Sequence, residues 1–237
     1  MNNDLEFYDS SWEKWQDMKK YGPMSRHTRR LCLEMIKNLN FNSIIDIGCG
    51  EASFLKRLQK IKAHVKASGA DISEFMIKQN KKLLSEIEFY AMDIEKEPLN
   101  KKYDLVTAIE IIEHIKDDEK FLKNICKMTN KYLLICTLLG KMMPWEKKVG
   151  HVRNYSENEL VDKLNNSGFS VLKIKKWGFP FYSPLYRSIL QHTPDNLNIG
   201  KFGLFRKIVS QFLYFVFLLS LPNKGDVVLV LAEPVQC

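Results

Sequence analysis

Residues 43–50 read Ser-Ile-Ile-Asp-Ile-Gly-Cys-Gly, and no other segment narrows the possible folds as far. Ser43–Ile47 is an apolar run with an acid inside it; Gly48 and Gly50 interrupt it, and an amphipathic stretch, Phe54–Leu58, follows. A buried strand that turns sharply through glycines into a helix brings backbone N–H groups close to a ligand. The pattern points to a nucleotide-type cofactor at the carboxyl end of the first strand of a parallel sheet. The dinucleotide fingerprint G-x-G-x-x-G lacks its third glycine here, because Gly48-Cys49-Gly50-Glu51-Ala52-Ser53 ends in serine. Asp46, two residues ahead of Gly48, would repel a pyrophosphate and would suit a cofactor with a cationic end.

Three further runs end in acids. Val65–Ala70 is closed by Asp71, at the spacing of a ribose-binding acid, ~20 residues past the glycines. Glu88–Met92 is followed by Asp93, which could accept a hydrogen bond from an adenine amino group. Tyr103–Ile109 ends at Glu110. Four strands in order, each ending in an acid near one crevice, are more specific than two glycines. Tyr132–Cys136, Phe169–Lys175 and Asp226–Leu231 read as three more strands. Strands and helices alternate as far as Ile135, which calls for a parallel sheet with helices on both faces.

Helix signals fit this frame. Ser25 to about Leu39 carries Leu31, Leu33, Met35 and Ile36 at helical spacing. Ser156–Ser167 opens on a capping box, Ser156 with Glu159, and stops at Gly168. Residues 5–20, with Phe7, Tyr8, Trp12 and Trp15, read as a short aromatic-rich helix broken by Tyr21-Gly22-Pro23. Hydrophobic residues make up 45% and charged residues 27%, which excludes a disordered chain. Met1–Tyr8 is polar and acidic, so no signal peptide is expected and a cytoplasmic location is. Cys32, Cys49, Cys126, Cys136 and Cys237 form no CxxC pair and are expected to be reduced thiols. The net charge of +8 is spread along the chain, so it reads as solvated faces and nucleic acid is not inferred from it.

Asp46-Ile47-Gly48-Cys49-Gly50, Asp71, Asp93 and Glu110-Ile111-Ile112-Glu113-His114 together resemble a class I S-adenosylmethionine (SAM) dependent methyltransferase of the type 11/12 kind, near the ubiquinone-pathway O-methyltransferases. The resemblance covers roughly residues 20–176 plus a closing strand near the C-terminus. It implies an α/β fold, a doubly wound, seven-stranded, mostly parallel Rossmann-like sheet whose last two strands form an antiparallel edge. It implies SAM as cofactor and S-adenosylhomocysteine (SAH) as product. The Gly48–Gly50 loop, with Asp46 and Cys49, would pass the methionine part. Asp71 with Ile72 would hold the ribose, Asp93 and Ile94 would flank the adenine, and Glu110 would complete the cofactor set. Tyr21 and Arg26 would close over SAM, with Arg26, Arg29 or Arg30 meeting its carboxylate. Ala52 stands where many members carry another glycine. The chain divides into N-terminal helices (1–40), the SAM-binding core (41–176), an aromatic-rich insertion or lid between strands six and seven (177–224) and a closing strand (225–237).

Methyl transfer to a hydroxyl or amine needs alignment and proton removal. His114 and His151 are the candidate bases, His114 being equally readable as a helix-capping residue. Tyr155 is a candidate donor, and Arg153 could bind an acceptor carboxylate or phosphate. Glu110, Glu113, His114 and His151 are an alternative metal set, resembling the two glutamates and two histidines of small-RNA 3′-end 2′-O-methyltransferases. No metal is the primary reading. Trp145 and the Trp177–Tyr182 aromatics would line an acceptor pocket or sit in the core. Residues 202–221 are short for a membrane span; they read as a buried helix or lid, a membrane-surface contact or a dimer contact. The methyl group is expected to go to an oxygen, or a nitrogen, of a small-molecule or lipid-like acceptor. A macromolecule, peptide or RNA end, is the alternative, and the oligomeric state is open.

Overall fold

The structure, a computed structural model, describes residues 14–193 and 200–236. Phe7, Tyr8, Trp12 and Cys237 lie outside the described residues. Helix α1 (14–21) ends at Gly22, and α2 (Pro23–Ile36) starts on a proline, which needs no helical N–H partner at that position. Then follow β1 (Ser43–Ile47), α3 (Ser53–Ile61), β2 (Lys66–Asp71), α4 (Glu74–Leu83), β3 (Glu88–Ala91), β4 (Tyr103–Ile109), a 3₁₀ turn (Ile112–His114), α5 (Asp118–Met128) and β5 (Thr129–Leu138). The second half holds α6 (Pro144–Lys148), α7 (Glu157–Asn166), β6 (Phe169–Trp177), a wide helical turn (Phe181–Tyr186), α8 (Arg187–Leu190), α9 (Leu204–Leu218) and β7 (Val227–Pro234).

The seven strands lie in the order β3-β2-β1-β4-β5-β7-β6. β1 to β5 pair in parallel, while β7 runs antiparallel to both β5 and β6. The antiparallel feature is therefore β7 alone, inserted inside β6 at the edge. Strand order reverses between β1 and β4, which opens a crevice at the carboxyl ends of these strands. β1 and β4 are mostly apolar because both faces are covered. Leu31, Leu55 and Phe89 pack on one face, and Leu122, Ile125 and Leu160 on the other. Ser156 Oγ accepts from Glu159 N at 3.2 Å, as the capping box implies, and Ser73 Oγ also caps α4, accepting from Met76 N at 3.2 Å.

Two expectations are corrected here. Helix α9 is not buried over the sheet, since Ser210 and Phe217 are its only buried residues. Cys126 is not a free thiol but disulfide-bonded, whereas Cys32, Cys49 and Cys136 are free. The chain past β7 runs beside it: Val235 N donates to Gly168 O at 2.8 Å, and a Cβ on Gly168 would lie 3.0 Å from Cys126 Sγ.

Candidate functional site

The turn after β1 is tied to β2. Gly48 N and Cys49 N both donate to Ala70 O, at 2.8 and 3.0 Å, and Gly50 N donates to Asp71 Oδ2 at 2.8 Å. These amides therefore do not face a ligand, contrary to the expectation from the glycine pattern. The loop instead supplies close approach. Gly48 has φ +70, and a Cβ there would lie 2.7 Å from Ile111 Cδ1, so only glycine fits without a shift. Ala52 also takes a left-handed conformation, φ 56, where a glycine would be relaxed. Asp71 Oδ1 accepts from Ser73 N at 2.9 Å. Two backbone donors fix the carboxylate, which keeps further acceptor capacity for hydroxyls. Asp46 lies behind the wall: Thr107 Oγ1 donates to its Oδ1 at 2.6 Å, and burial pushes its pKa up to about 7. Neither Asp46 nor Cys49 nor Gly50 lines the crevice.

That crevice is a cavity of about 720 Å³, within the usual range for small-molecule sites. Gly48, Asp71, Ile72, Asp93, Ile94 and Glu110 line it from the strand ends. Trp145, Tyr182, Tyr186, Phe202, Phe205 and Leu213 line it from α6, the Phe181–Tyr186 turn and the α9 region. The strand-end wall offers carboxylates; the opposite wall is aromatic and apolar. Asp93 Oδ1 accepts from Glu95 N at 3.1 Å, and Asn124 holds Ile94 O at 2.8 Å.

Glu110 ends β4 with φ 55, a strained backbone for a residue with a side chain. Its carboxylate accepts from Lys19 Nζ at 2.9 Å and from Thr28 Oγ1 at 3.0 Å. Burial alone would raise the Glu110 pKa, but Lys19 and Thr28 outweigh it and hold it low. Helix α1 is thereby strapped across the crevice. The same pair removes Glu110 from the four-residue metal set, because its charge is already met by Lys19. Glu113, His114 and His151 do converge, with one ligand atom of each within 4.8 Å of the others. The two imidazole centroids are 4.7 Å apart, edge on. Burial, then His151, lowers the His114 pKa to about 3, and burial raises Glu113 to about 8.

His151 is held in one tautomer. Asn154 Nδ2 donates to Glu146 Oε2 at 3.0 Å, which leaves Asn154 Oδ1 as the acceptor for His151 Nδ1 at 3.4 Å. The proton then sits on Nδ1, and Nε2 keeps its lone pair. Glu146 is fully buried and is clamped by Arg187 through Nε at 2.8 Å and Nη2 at 3.0 Å. His151 N also donates to Glu146 O at 3.0 Å. Glu146, Asn154 and Arg187 thus position the loop that carries Trp145 and His151. Sequence reasoning missed them, together with Lys19 and Thr28. Asn154 stands three residues past His151, which was the one local signal.

Other proposed residues are not brought to the cavity. Tyr155 bridges to Leu139, and its hydroxyl donates to Asp118 Oδ2 at 2.9 Å, on the far side of the loop. Arg153 pairs with the same Asp118 at 2.5 Å and donates to Lys116 O, so its fork is engaged. Arg26 donates to Gln211 and lies over the Tyr214 ring, 3.9 Å from its centroid. Arg29 donates to Ser53, and Arg30 pairs with Glu34. Tyr21 stacks beside Phe202 without lining the cavity. Trp177 is core, stacked on His27 at 4.7 Å, whereas Trp145 and Tyr182 do line the cavity. Among the described residues the cations on its wall are Lys14, Lys19, Lys116, Lys148 and Arg206.

A switch-point crevice lined by acids after β2, β3 and β4 is where doubly wound folds hold nucleotide-type cofactors. Comparison with known proteins narrows the class. Residues 41–177 match the methyltransferase domain family, and the chain belongs to that family. It is 24% identical over 156 residues to a ubiquinone biosynthesis O-methyltransferase of Rickettsia canadensis (strain McKiel), covering 56% of this chain and 64% of the relative. The chain thus spans less than two thirds of that relative's length. A chain of the Haloferax volcanii complex between the Trm112 methyltransferase activator and a methyltransferase superposes with a TM-score of 0.70, at 14% identity and 98% coverage of both chains. Magnesium protoporphyrin IX methyltransferase of Synechocystis PCC 6803, with SAH bound, gives a TM-score of 0.56 at 16% identity, covering 90% of this chain and 84% of its own. The fold is thus shared with methyltransferases solved with SAH bound.

Proposed function

We propose that the enzyme transfers the methyl group of SAM to an oxygen or nitrogen of a small, apolar, lipid-like acceptor. The aromatic wall of Trp145, Tyr182, Tyr186, Phe202 and Phe205 opposite the strand-end acids carries this reading. A generic cofactor core needs no such wall; a large apolar acceptor does. In this arrangement Asp71 holds the ribose hydroxyls, and Asp93 and Ile94 flank the adenine. Transfer is an in-line displacement, so the acceptor atom must sit behind the methyl group as the sulfonium leaves. His151 Nε2 takes the acceptor proton, because burial keeps the ring neutral and the Asn154–Glu146 pair leaves that nitrogen bare.

The Glu113, His114 and His151 cluster supports a second, metal-assisted form. Two imidazoles, His114 held neutral, and one carboxyl are a suitable donor set for a divalent transition metal, and a cation would displace the proton from Glu113. Bound there, such an ion would lower the pKa of an acceptor hydroxyl.

Incubation with methyl-labelled SAM and a fractionated cell extract tests the proposal. Label in the organic-soluble fraction is expected, lost in His151→Phe. Label confined to RNA or protein would overturn the small-molecule reading in favour of a macromolecular acceptor. Abolition by chelator would establish the metal-assisted form.

A further inference from the structure

Helix α9 is apolar on its outward face as well as on its inward one. Leu204, Ile208, Phe212, Phe215 and Leu219 recur every three or four residues and so share one face. All five point to solvent, with exposures of 78%, 58%, 64%, 57% and 68%. The inward side packs Phe217, Leu213 and Val216 on the core and carries two polar anchors. Ser210 Oγ donates to Tyr21 O at 2.6 Å, and Tyr214 O lies 2.9 Å from His27 Nε2. The apolar surface continues past the helix end, where Leu221 N donates to Phe179 O at 2.7 Å and Phe179 is itself exposed. A contiguous apolar face of this kind marks a place of interaction.

Charge decides what covers it. Residues 200–225 contain Lys201, Arg206, Lys207 and Lys224 and no carboxylate. Arg206 lies over the Phe202 ring at 3.9 Å and Lys207 over Tyr21 at 4.6 Å, at the shoulders of the apolar face. An outward apolar stripe shouldered by cations complements a lipid surface with anionic headgroups. A second copy is the poorer occupant, because it would bring the same cations together on a chain of net charge +8. Among the described residues no helix is long and apolar enough to cross a membrane. The helix would therefore lie on the surface and not span it.

The position of α9 connects this face to the cavity. Phe205, Arg206, Val209, Ser210 and Leu213 line the cavity from the adjoining side of the same helix. We propose that the outward face of α9 seats on an anionic lipid surface, and that the cavity beside it receives its acceptor from that surface. The second half rests on the methyl-transfer reading above; the first half does not.

The test uses the full-length protein and sedimentation with vesicles of phosphatidylcholine, with and without phosphatidylglycerol. The protein is expected to sediment with the anionic vesicles, and less so as ionic strength rises. Phe212→Ser with Phe215→Ser removes two exposed rings that do not line the cavity. Partitioning should then fall by on the order of a hundredfold, about tenfold per ring. Lys207→Glu should weaken binding to the phosphatidylglycerol vesicles. SAH binding by calorimetry should be unchanged in these variants, which shows that the fold is intact and separates this result from the methyl-transfer reading. No sedimentation of wild-type protein with either vesicle would overturn the proposal. Equal binding to both vesicles would overturn the anionic surface. A wild-type dimer that the double variant converts to monomer, without vesicle binding, would overturn it in favour of contact between copies.

Discussion

The ring of His27 should make stability fall in acid, and its surroundings say by how much. His27 is fully buried between the Trp177 and Tyr214 rings, at 4.7 and 4.3 Å. Arg30, which only donates, approaches Nδ1 at 3.2 Å, so Nδ1 is the acceptor and Nε2–H donates to Tyr214 O at 2.9 Å. The neutral ring thus ties α2 to α9 through one hydrogen bond and accepts a second from Arg30 within α2. A proton on Nδ1 would face the Arg30 guanidinium. Burial, with Arg30 and Arg26 adding to it, lowers the pKa from 6.5 to about 4. The unfolded chain takes up this proton near pH 6.5 and the folded chain only near pH 4. Stability is fully present above 6.5 and is lost as pH falls toward 4, by on the order of 3 kcal/mol at ~1.4 kcal/mol per pH unit. His27→Phe keeps a ring in the stack and removes the titration. Urea unfolding from pH 7.5 down to 4 should show the variant weaker at neutral pH, by about 0.5–1.5 kcal/mol for the lost hydrogen bond to the Tyr214 carbonyl. The gap should close, and then reverse, in acid. His114 and His151 add acid sensitivity to both proteins and cancel in the difference. A gap that stays constant with pH would refute the buried neutral ring.

Three further outcomes follow from the site. Arg187→Met strands the buried Glu146 carboxylate and should cost about 3–5 kcal/mol in denaturant unfolding; wild-type stability would show that the pair has no structural role. Gly48→Ala forces a Cβ into φ +70 and against Ile111, so SAH affinity measured by calorimetry should drop by at least about tenfold for ~1–2 kcal/mol of strain; unchanged affinity would mean that the turn relaxes freely. Asn154→Ala releases the His151 tautomer and should lower kcat more than KM, with the acid limb of the rate profile displaced; equal loss in both parameters would assign Asn154 to fold alone.

Much of the sheet was legible because parallel strands covered on both faces leave mostly apolar runs, as in Ser43–Ile47 and Tyr103–Ile109. The acids at Asp71, Asp93 and Glu110 were legible because strand ends are local. Their roles in pairing were not. Lys19 meets Glu110 across 91 residues, and Arg187 meets Glu146 across 41, so no spacing rule announces either. The loop after β5 could be placed at the right end of the sheet, but not the direction of each side chain. Tyr155, pinned against Leu139, turns to Asp118, while His151, four residues earlier, reaches the cavity. Helix α9 misled for a different reason. An apolar helix reads as buried, and periodicity alone does not tell which face meets the core.

The most direct test of the account is a calorimetric titration of SAH into wild-type protein and Asp71→Ala, with near-ultraviolet circular dichroism as the check on folding. The account predicts one-to-one binding by the wild type and a loss of at least about tenfold in the variant, since two charge-assisted hydroxyl contacts are each worth ~1.5–3 kcal/mol. No binding by folded wild-type protein, or equal affinity in folded Asp71→Ala, would contradict the placement of the cofactor at the strand ends.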